Sequence, residues 1–381
     1  MAVAIHAAPR RAIALVAGGT GGHLFPAQAL AEELVRRDYI IHLITDERVR
    51  VYGRNFPALE VHQLPSATLS LSKPWLLPLR VMRLTRGYRL ARGILERLQP
   101  GAVAGFGGYP SFSPLLAAAR LKIPCLVHEQ NAVMGRANRV LALAVDRVAS
   151  SFPTLARLPK RASGKLVYTG NPVRDNVLTE AGAPYQAPRA DAPFQLLVFG
   201  GSQGARFFAE FMPGAMRALP KAVLKTLKVV QQCRPEDLEA VKAAYQELGL
   251  DAELQPFFSD MPKRIAAAHL VLCRSGASTI AELGVIGRPA VLVPLPHAID
   301  NDQLRNAESF TKAGGGWLRR QSEFKPEEFA AFLTRLRYQE QDLQLAAKAA
   351  LGHGNPDAAQ RLADLVESMA AARQTKETKA G

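Results

Sequence analysis

The sequence predicts an α/β protein of two similar halves, each built on a parallel sheet with helices on both faces. Three observations predict it. Short apolar or β-branched runs alternate with helical patterns from Ala12 onward. Two of these runs end in a glycine cluster that opens a helix, Gly18-Gly19-Thr20-Gly21-Gly22 and Gly200-Gly201-Ser202-Gln203-Gly204. A Pro/Gly/Ala-rich stretch at residues 181–193, soon after the turn Gly170-Asn171-Pro172, separates the halves as a linker. Strand and helix alternating over this length give parallel sheets, because each parallel pair needs a crossover.

The strands expected in the first half are residues 12–17, 40–45, 102–106, 125–128 and 166–169. In the second half they are 194–199, 228–232, 270–273 and 290–293. Helical patterns fall between them, among them residues 26–37, 206–218 and 235–248. Residues 1–170 are therefore read as one Rossmann-like domain and 171–354 as a second. A helix at about 355–370 packs back on the first, and residues 371–381 form a polar, flexible tail.

Composition supports two ordinary cores. The chain has 381 residues, 48% apolar and 21% charged, which argues against disorder. Its formal charge of +15 implies anionic partners: nucleic acid, an acidic membrane or phosphorylated substrates. Cys125, Cys233 and Cys273 are unpaired in sequence, as suits a reducing compartment. No apolar run approaches the roughly 18 residues a membrane span needs. Two arginines before residue 13 loosely imitate a signal peptide, but the apolar run leads into a glycine turn, so it is read as a core strand.

A glycine turn between strand and helix lets backbone N–H groups and the positive helix end approach a diphosphate. One such loop suits a plain tight turn equally well; two at matched positions favour ligand binding. Dinucleotide binding is weighed because Asp46 ends the second strand, yet the sixth position counted from Gly19 is Leu24 rather than glycine. Neither loop supplies the Gly-Lys-Ser/Thr of a Walker loop. A third cluster, Gly105-Phe106-Gly107-Gly108-Tyr109, and the run His128-Glu129-Gln130-Asn131 end further strands at the same edge. His23, Tyr109, His128 and Asn131 thus face one site. In the second half, Ser278 or Thr279 is placed to cap a helix with Glu282 as its capping-box acid, or Glu282 to accept ribose hydroxyls. Pro294-Leu295-Pro296-His297 leads on to Asp302, Gln303 and Asn306, a set suited to sugar hydroxyls.

In this order the motifs resemble those of the MurG family of glycosyltransferases. Six stand in register: Gly-Gly-Thr-Gly-Gly-His from Gly18, Gly-Phe-Gly-Gly-Tyr from Gly105, His-Glu-Gln-Asn from His128, Gly-Asn-Pro-Val-Arg from Gly170, Gly-Gly-Ser-Gln-Gly-Ala-Arg from Gly200 and Cys-Arg-Ser-Gly-Ala from Cys273. The continuation Tyr109-Pro110-Ser111 departs from the Val-Ser expected of the family. The resemblance implies a GT-B fold, two Rossmann-like domains facing across a cleft. It implies transfer of N-acetylglucosamine from UDP-GlcNAc to undecaprenyl-diphosphate-linked MurNAc-pentapeptide, the lipid I to lipid II step of peptidoglycan synthesis.

The resemblance also assigns residues. Donor contacts fall to Thr20, Gly21, Gly22, Asn131, Arg174, Ser202, the backbone at Phe258, Arg274, Ser278, Thr279, Glu282 on ribose, Asp302 and Gln303. Gly18, Gly19, Gly107, Gly108, Tyr109, His128 and Asn138 line the acceptor side. An inverting transfer is one in-line displacement, and His23 is the expected base because imidazole titrates near working pH. Helix-end N–H groups at Ser202, with Arg174 or Arg274, would meet the departing diphosphate. No Asp-x-Asp pair suits a donor-chelating metal, so no metal and no cofactor are expected.

Residues 75–98 read as a helix whose core stripe is Leu77, Val81, Leu84, Tyr88, Ala91, Leu95 and Leu98. Leu79 and Met82 lie opposite that stripe, among Arg80, Arg83, Arg86, Arg89 and Arg92, and Trp75 precedes the first turn. Alone this is a solvated basic helix. Beside a lipid-linked acceptor, Trp75, Leu79, Arg80, Met82 and Arg83 read as a docking face, which implies a peripheral place on the cytoplasmic face of the plasma membrane. The rival readings are a UDP-GlcNAc 2-epimerase, a transferase acting on another lipid, a nucleotide sensor and a nucleic-acid binder. The last rests on charge alone, since aromatic residues are 7% and no binding module is recognisable.

Overall fold

The computed structural model describes residues 12–18, 20–46, 56–65, 77–296 and 298–380. Gly19, Trp75 and His297, expected in the site or at the membrane, lie outside them, as do the side chains of Arg80 and Ser202. The chain divides into two compact units, Met1–Asp175 with Asp357–Gly381, and Asn176–Pro356.

The first unit holds strands β1 (Ala12–Val16), β2 (Ile40–Thr45), β3 (Glu60–Gln63), β4 (Ala102–Gly105), β5 (Cys125–Glu129), β6 (Arg147–Ser150) and β7 (Leu166–Tyr168). They form one parallel sheet in the order β3-β2-β1-β4-β5-β6-β7. Helices α1 (Gly21–Arg36), α2 (Leu77–Leu98), α3 (Phe112–Arg120) and α4 (Arg136–Ala144) connect them. Successive strand residues point to opposite faces, so a strand covered on both sides must be apolar throughout. In β1, Ile13 and Leu15 enter one core and Ala14 and Val16 the other. The chain's last helix adds Leu362, Val366 and Met369 to the Ile13 core. Arg37 fastens it through Asp364 at 2.7 Å and Glu367 at 2.5 Å.

From Asn176, within α5 (Asp175–Leu178), the chain builds the second unit. Strands β8 (Phe194–Phe199), β9 (Leu227–Gln232), β10 (Asp251–Gln255), β11 (Leu270–Cys273), β12 (Ala290–Leu292) and β13 (Gly316–Leu318) form a parallel sheet ordered β10-β9-β8-β11-β12-β13. Its helices are α6 (Gly201–Arg217), α7 (Lys221–Leu224), α8 (Leu238–Glu247), α9 (Met261–Ala267), α10 (Ala277–Ile286), α11 (Asp302–Lys312), α12 (Pro326–Tyr338) and α13 (Glu340–His353). The final helix is α14 (Ala358–Ala380). Both sheets reverse their winding beside a central strand, at β1/β4 and β8/β11, which is where such sheets gather ligands.

Several expectations are corrected. Both glycine loops are shorter than they read, because α1 starts at Gly21 and α6 at Gly201, within the clusters. Strands β3, β6, β10 and β13 escape the sequence reading. In β3 and β10, charged or polar residues stand at nearly every exposed position of a sheet edge and hide the apolar signal. The stretch at 181–193 is no free tether. Arg288 holds the carbonyls of Ala183 and Pro184, and Arg337 holds those of Arg189, Ala190 and Ala192. Residues expected as a flexible tail continue α14 as far as Ala380. In α2 the core stripe holds at Ala91 and Leu95, but Val81 is 50% exposed. Among the described residues no helix is long and apolar enough to cross a membrane.

Candidate active site

The carboxyl ends of β1, β4 and β5 carry the first set of candidate residues. Thr20 is the N-cap of α1, and Gly21 and Gly22 fill the first turn, where helix N–H groups have no helical carbonyl to meet. At the end of β4, Gly107 and Gly108 have φ of +82° and +73°, a region that favours glycine. Their lack of side chains is also a matter of space. A Cβ on Gly107 would lie 2.8 Å from Asn138 Nδ2, and one on Gly108 would lie 3.3 Å from His23 Nε2. One on Gly18 would meet Pro110 at 3.5 Å and His23 at 3.6 Å. Gly18, His23, Gly107, Gly108, Pro110 and Asn138 are thus close neighbours. The Ser111 hydroxyl secures this turn by donating to the Gly107 carbonyl at 2.7 Å. Tyr109 stands half-buried at the start of the same turn.

The run His128-Glu129-Gln130-Asn131 supplies two buried networks. Glu129 is almost wholly buried and accepts from the Asn131 and Gly135 backbone N–H groups at 3.1 and 2.9 Å. It also accepts from the side-chain amides of Asn131 and Asn138, at 3.3 and 2.7 Å. Burial pushes its carboxyl above the usual range while these donors pull it back. Glu129 therefore orients both asparagines.

The second network sets the state of His23. His128 is fully buried, and its Nε2 lies 3.0 Å from the Gly170 carbonyl oxygen. That oxygen can only accept, so Nε2 carries the hydrogen and Nδ1 is an acceptor. Gln130 Nε2 donates to the His128 carbonyl at 3.0 Å and to His128 Nδ1 at 3.0 Å. This fixes the Gln130 amide, so its Oε1 must accept from His23 Nδ1, 3.1 Å away. The hydrogen of neutral His23 is thereby placed on Nδ1, and the lone pair on Nε2, beside Gly108. His128 was expected at the acceptor. Buried with both nitrogens engaged, it serves His23 instead. Gln130 belongs to the His-Glu-Gln-Asn run, but only the folded geometry reveals its part.

Arg174 also belongs to this unit. Its guanidinium stands 3.8 Å over the Phe25 ring, and Phe25 packs against Gly21. Asn171, in the preceding turn, is a residue the sequence reading missed as a candidate. Its side-chain amide is buried with no hydrogen-bond partner among the described residues.

In the second unit the set gathers at β8, β11 and β12. Gly200 caps α6 and Gly201, at φ +65°, begins it. Arg274 is buried and donates to the carbonyls of Val293 and Pro294 at 3.2 and 3.1 Å, and to Gln321 Oε1 at 2.7 Å. Burial lowers it to about 10. These bonds brace the end of β12, while Arg274 Nε is buried without a hydrogen-bond partner among the described residues. The capping box is also overturned: α10 is capped by Gly276 with no side-chain cap, so Ser278 and Thr279 lie within the first turn and Glu282 in the second. Ser278 Oγ is buried without a partner among the described residues.

The start of α11 is tied to this loop. The Ser275 hydroxyl donates to the Gln303 carbonyl at 2.8 Å, and Asn306 Nδ2 to the Ser275 carbonyl at 3.1 Å. Gln303 Oε1 accepts from the Leu295 N–H at 2.9 Å, which fixes the orientation of its amide. Asp302 Oδ1 accepts from the Gln303 N–H at 2.7 Å, and burial raises its carboxyl. Phe258 is buried under the Arg264 guanidinium at 4.2 Å.

The buried His128 makes stability depend on pH. Burial pushes its ring from 6.5 down to about 4. The unfolded chain therefore binds more protons below neutrality, so this contribution is complete above about pH 6.5 and is lost as pH falls towards 4. At about 1.4 kcal/mol per unit it amounts to about 3 kcal/mol. Denaturation of His128→Gln, followed from pH 7 to 4.5, should show a flatter loss than the parent; parallel curves would contradict the buried neutral ring.

Comparisons with known proteins give this geometry a family. Residues 13–150 match the glycosyltransferase family 28 N-terminal domain, and residues 195–362 the glycosyltransferase family 28 C-terminal domain. A Mesorhizobium japonicum protein named UDP-N-acetylglucosamine–N-acetylmuramyl-(pentapeptide) pyrophosphoryl-undecaprenol N-acetylglucosamine transferase is 50% identical, covering 98% of this chain and 99% of its own length. The crystal structure of Acinetobacter baumannii MurG superposes with a TM-score of 0.74 at 31% identity, over 94% of this chain and 99% of that one. A UDP-N-acetylglucosamine 2-epimerase structure reaches a TM-score of 0.61 at 13% identity, over 93% and 94% of the two chains, and shares the fold alone. The chain belongs to glycosyltransferase family 28, and within it to the MurG family of N-acetylglucosamine transferases.

Proposed function

We infer that this protein transfers N-acetylglucosamine from UDP-GlcNAc to undecaprenyl-diphosphate-linked MurNAc-pentapeptide, with inversion at the sugar carbon. The observation that carries the inference is 50% identity, over nearly the whole of both chains, to a relative bearing that name. The acceptor is assigned to the first unit, at Gly18, Gly19, Gly107, Gly108, Tyr109 and Asn138. Thr20, Gly21, Gly22, Asn131 and Arg174 are assigned to the donor's diphosphate and sugar. In the second unit UDP-GlcNAc is assigned to Ser202, the Phe258 backbone, Arg274, Ser278, Thr279, Glu282, Asp302 and Gln303.

The chemistry needs a base for the acceptor hydroxyl and stabilisation of the departing UDP. His23 Nε2 is the base. Its lone pair is aimed by the hydrogen bond that Nδ1 makes to Gln130, so no tautomer exchange precedes proton transfer. Departing charge is assigned to helix N–H groups at the N-terminal turn of α6, aided by the cation of Arg174 or Arg274. This scheme needs no metal or cofactor.

The transfer is tested by UDP release in the presence of a metal chelator. Release should require the lipid-linked muramyl pentapeptide; conversion of UDP-GlcNAc without acceptor would point to an epimerase. His23→Ala should lower kcat by roughly 10²–10⁴-fold with UDP affinity near the parent's. Gln130→Leu should lower kcat by roughly tenfold or more while KM and thermal stability hold, because only the aim of the ring is lost. A parent-like kcat in His23→Ala would reject the base.

We also propose that α2 docks on anionic membrane from the cytoplasmic side. Leu79, Val81 and Met82 are 43%, 50% and 61% exposed, and Arg83, Arg86 and Arg89 are exposed beside them. Apolar side chains within a basic face suit an acidic lipid surface, where each cation contributes about 1 kcal/mol. Trp75 and Arg80 belong to the same proposal. Leu79→Glu/Met82→Glu should weaken binding to anionic vesicles at least about tenfold; unchanged binding would exclude this face.

A further inference from the structure

Outside the glycine edges, β2 and β3 bring together three groups that the transfer does not use. His42 stands opposite Glu60 in the parallel register, and His62 opposite Ile44. With side chains alternating between faces, residues 42, 44, 60 and 62 share one face. Ile44 enters the core that Ala91 and Leu95 of α2 help to form, so this face is roofed. His42 and His62 are 6% and 8% exposed, and their rings stack at 5.8 Å and 17°.

Both rings aim one nitrogen at the same carboxylate oxygen. His62 Nε2 is 3.4 Å and His42 Nδ1 3.8 Å from Glu60 Oε2. Neither nitrogen has a hydrogen-bond partner among the described residues. A buried polar atom in that condition is costly unless something supplies the missing interaction. The three ligand atoms all lie within 4.8 Å of one another. Bonds of about 2.0–2.2 Å in a tetrahedral site put ligand atoms about 3.3 Å apart, so a modest inward shift closes the set. Burial also favours the neutral form of both rings, the form that ligates.

We propose that His42, His62 and Glu60 form a binding site for a zinc-class divalent metal ion, with a fourth position left to water. Two imidazoles and one carboxylate suit zinc or cobalt, whereas magnesium and calcium call for oxygen ligands. A neighbouring cation limits the affinity. Arg97 Nη2 lies 3.8 Å from Glu60 Oε1 and is 65% exposed, so it competes for the carboxylate and can swing away. The site is separate from the residues assigned to donor and acceptor and is not required for transfer.

The test is a calorimetric titration of the untagged, chelator-stripped full chain with zinc, backed by the visible absorption of cobalt. One equivalent should bind, and cobalt should give the intense bands of four-coordination. Glu60→Gln and His62→Gln should each weaken binding roughly tenfold or more. Arg97→Gln should tighten it several-fold, the opposite direction. Glu60 and Arg97 are half or more exposed, so these two variants test the site even if His62→Gln folds poorly, which melting without metal would reveal. Absence of saturable binding, or equal affinity in the parent, Glu60→Gln and Arg97→Gln, would overturn the proposal.

Discussion

Two carbonyl oxygens decide the state of a ring three side chains away. The Gly170 oxygen requires a hydrogen on His128 Nε2, and the His128 oxygen requires an N–H from Gln130. Those two demands leave one arrangement for the whole chain of contacts, ending with the lone pair of His23 on Nε2. Backbone carbonyls cannot change role, so the aim of the His23 ring is as fixed as the sheet that carries it. The cost is a fully buried histidine that must remain neutral.

The rest of the first unit keeps that geometry in place. Parallel strands deliver β1, β4 and β5 to a common edge, which is why residues over a hundred positions apart meet at His23. Gly107 and Gly108 let the β4 turn approach where side chains would collide with Asn138 and His23. Glu129 performs for Asn131 and Asn138 what Gln130 performs for His23. Consecutive residues of one strand end thus organise two neighbouring parts of the site. In the second unit the buried Arg274 ties the loop before α10 to the end of β12 through the Val293 and Pro294 carbonyls.

Much of this was legible in the sequence, for identifiable reasons. Central strands such as β8 and β11 are apolar on both faces and announce themselves, and the glycine clusters mark their carboxyl ends. Edge strands bury one face and read as polar loops, which hid β3 and with it the pairing of His42 and His62 with Glu60. Helix starts are the least legible: α1 and α6 begin inside their glycine clusters, ahead of residues 26 and 206, whereas α8 begins at Leu238, after residue 235. Arg274, Ser278 and Thr279 look alike in sequence as anion or nucleotide contacts; only the fold shows that Arg274 also braces the end of β12. Gln130 is the plainest case. Nothing about a glutamine after Glu129 tells which way its amide faces until Gly170 and His128 are placed in space.

The protonation site of neutral His23 is the point on which base, aim and buried network all depend. Long-range proton–nitrogen correlation of ring-labelled histidines, assigned with His23→Ala, reads that tautomer without turnover or substrate. The parent should show His23 with its hydrogen on Nδ1, and Gln130→Leu should show a mixture of the two tautomers. A parent ring with its hydrogen on Nε2 would contradict the carbonyl-anchored chain and the base assigned from it.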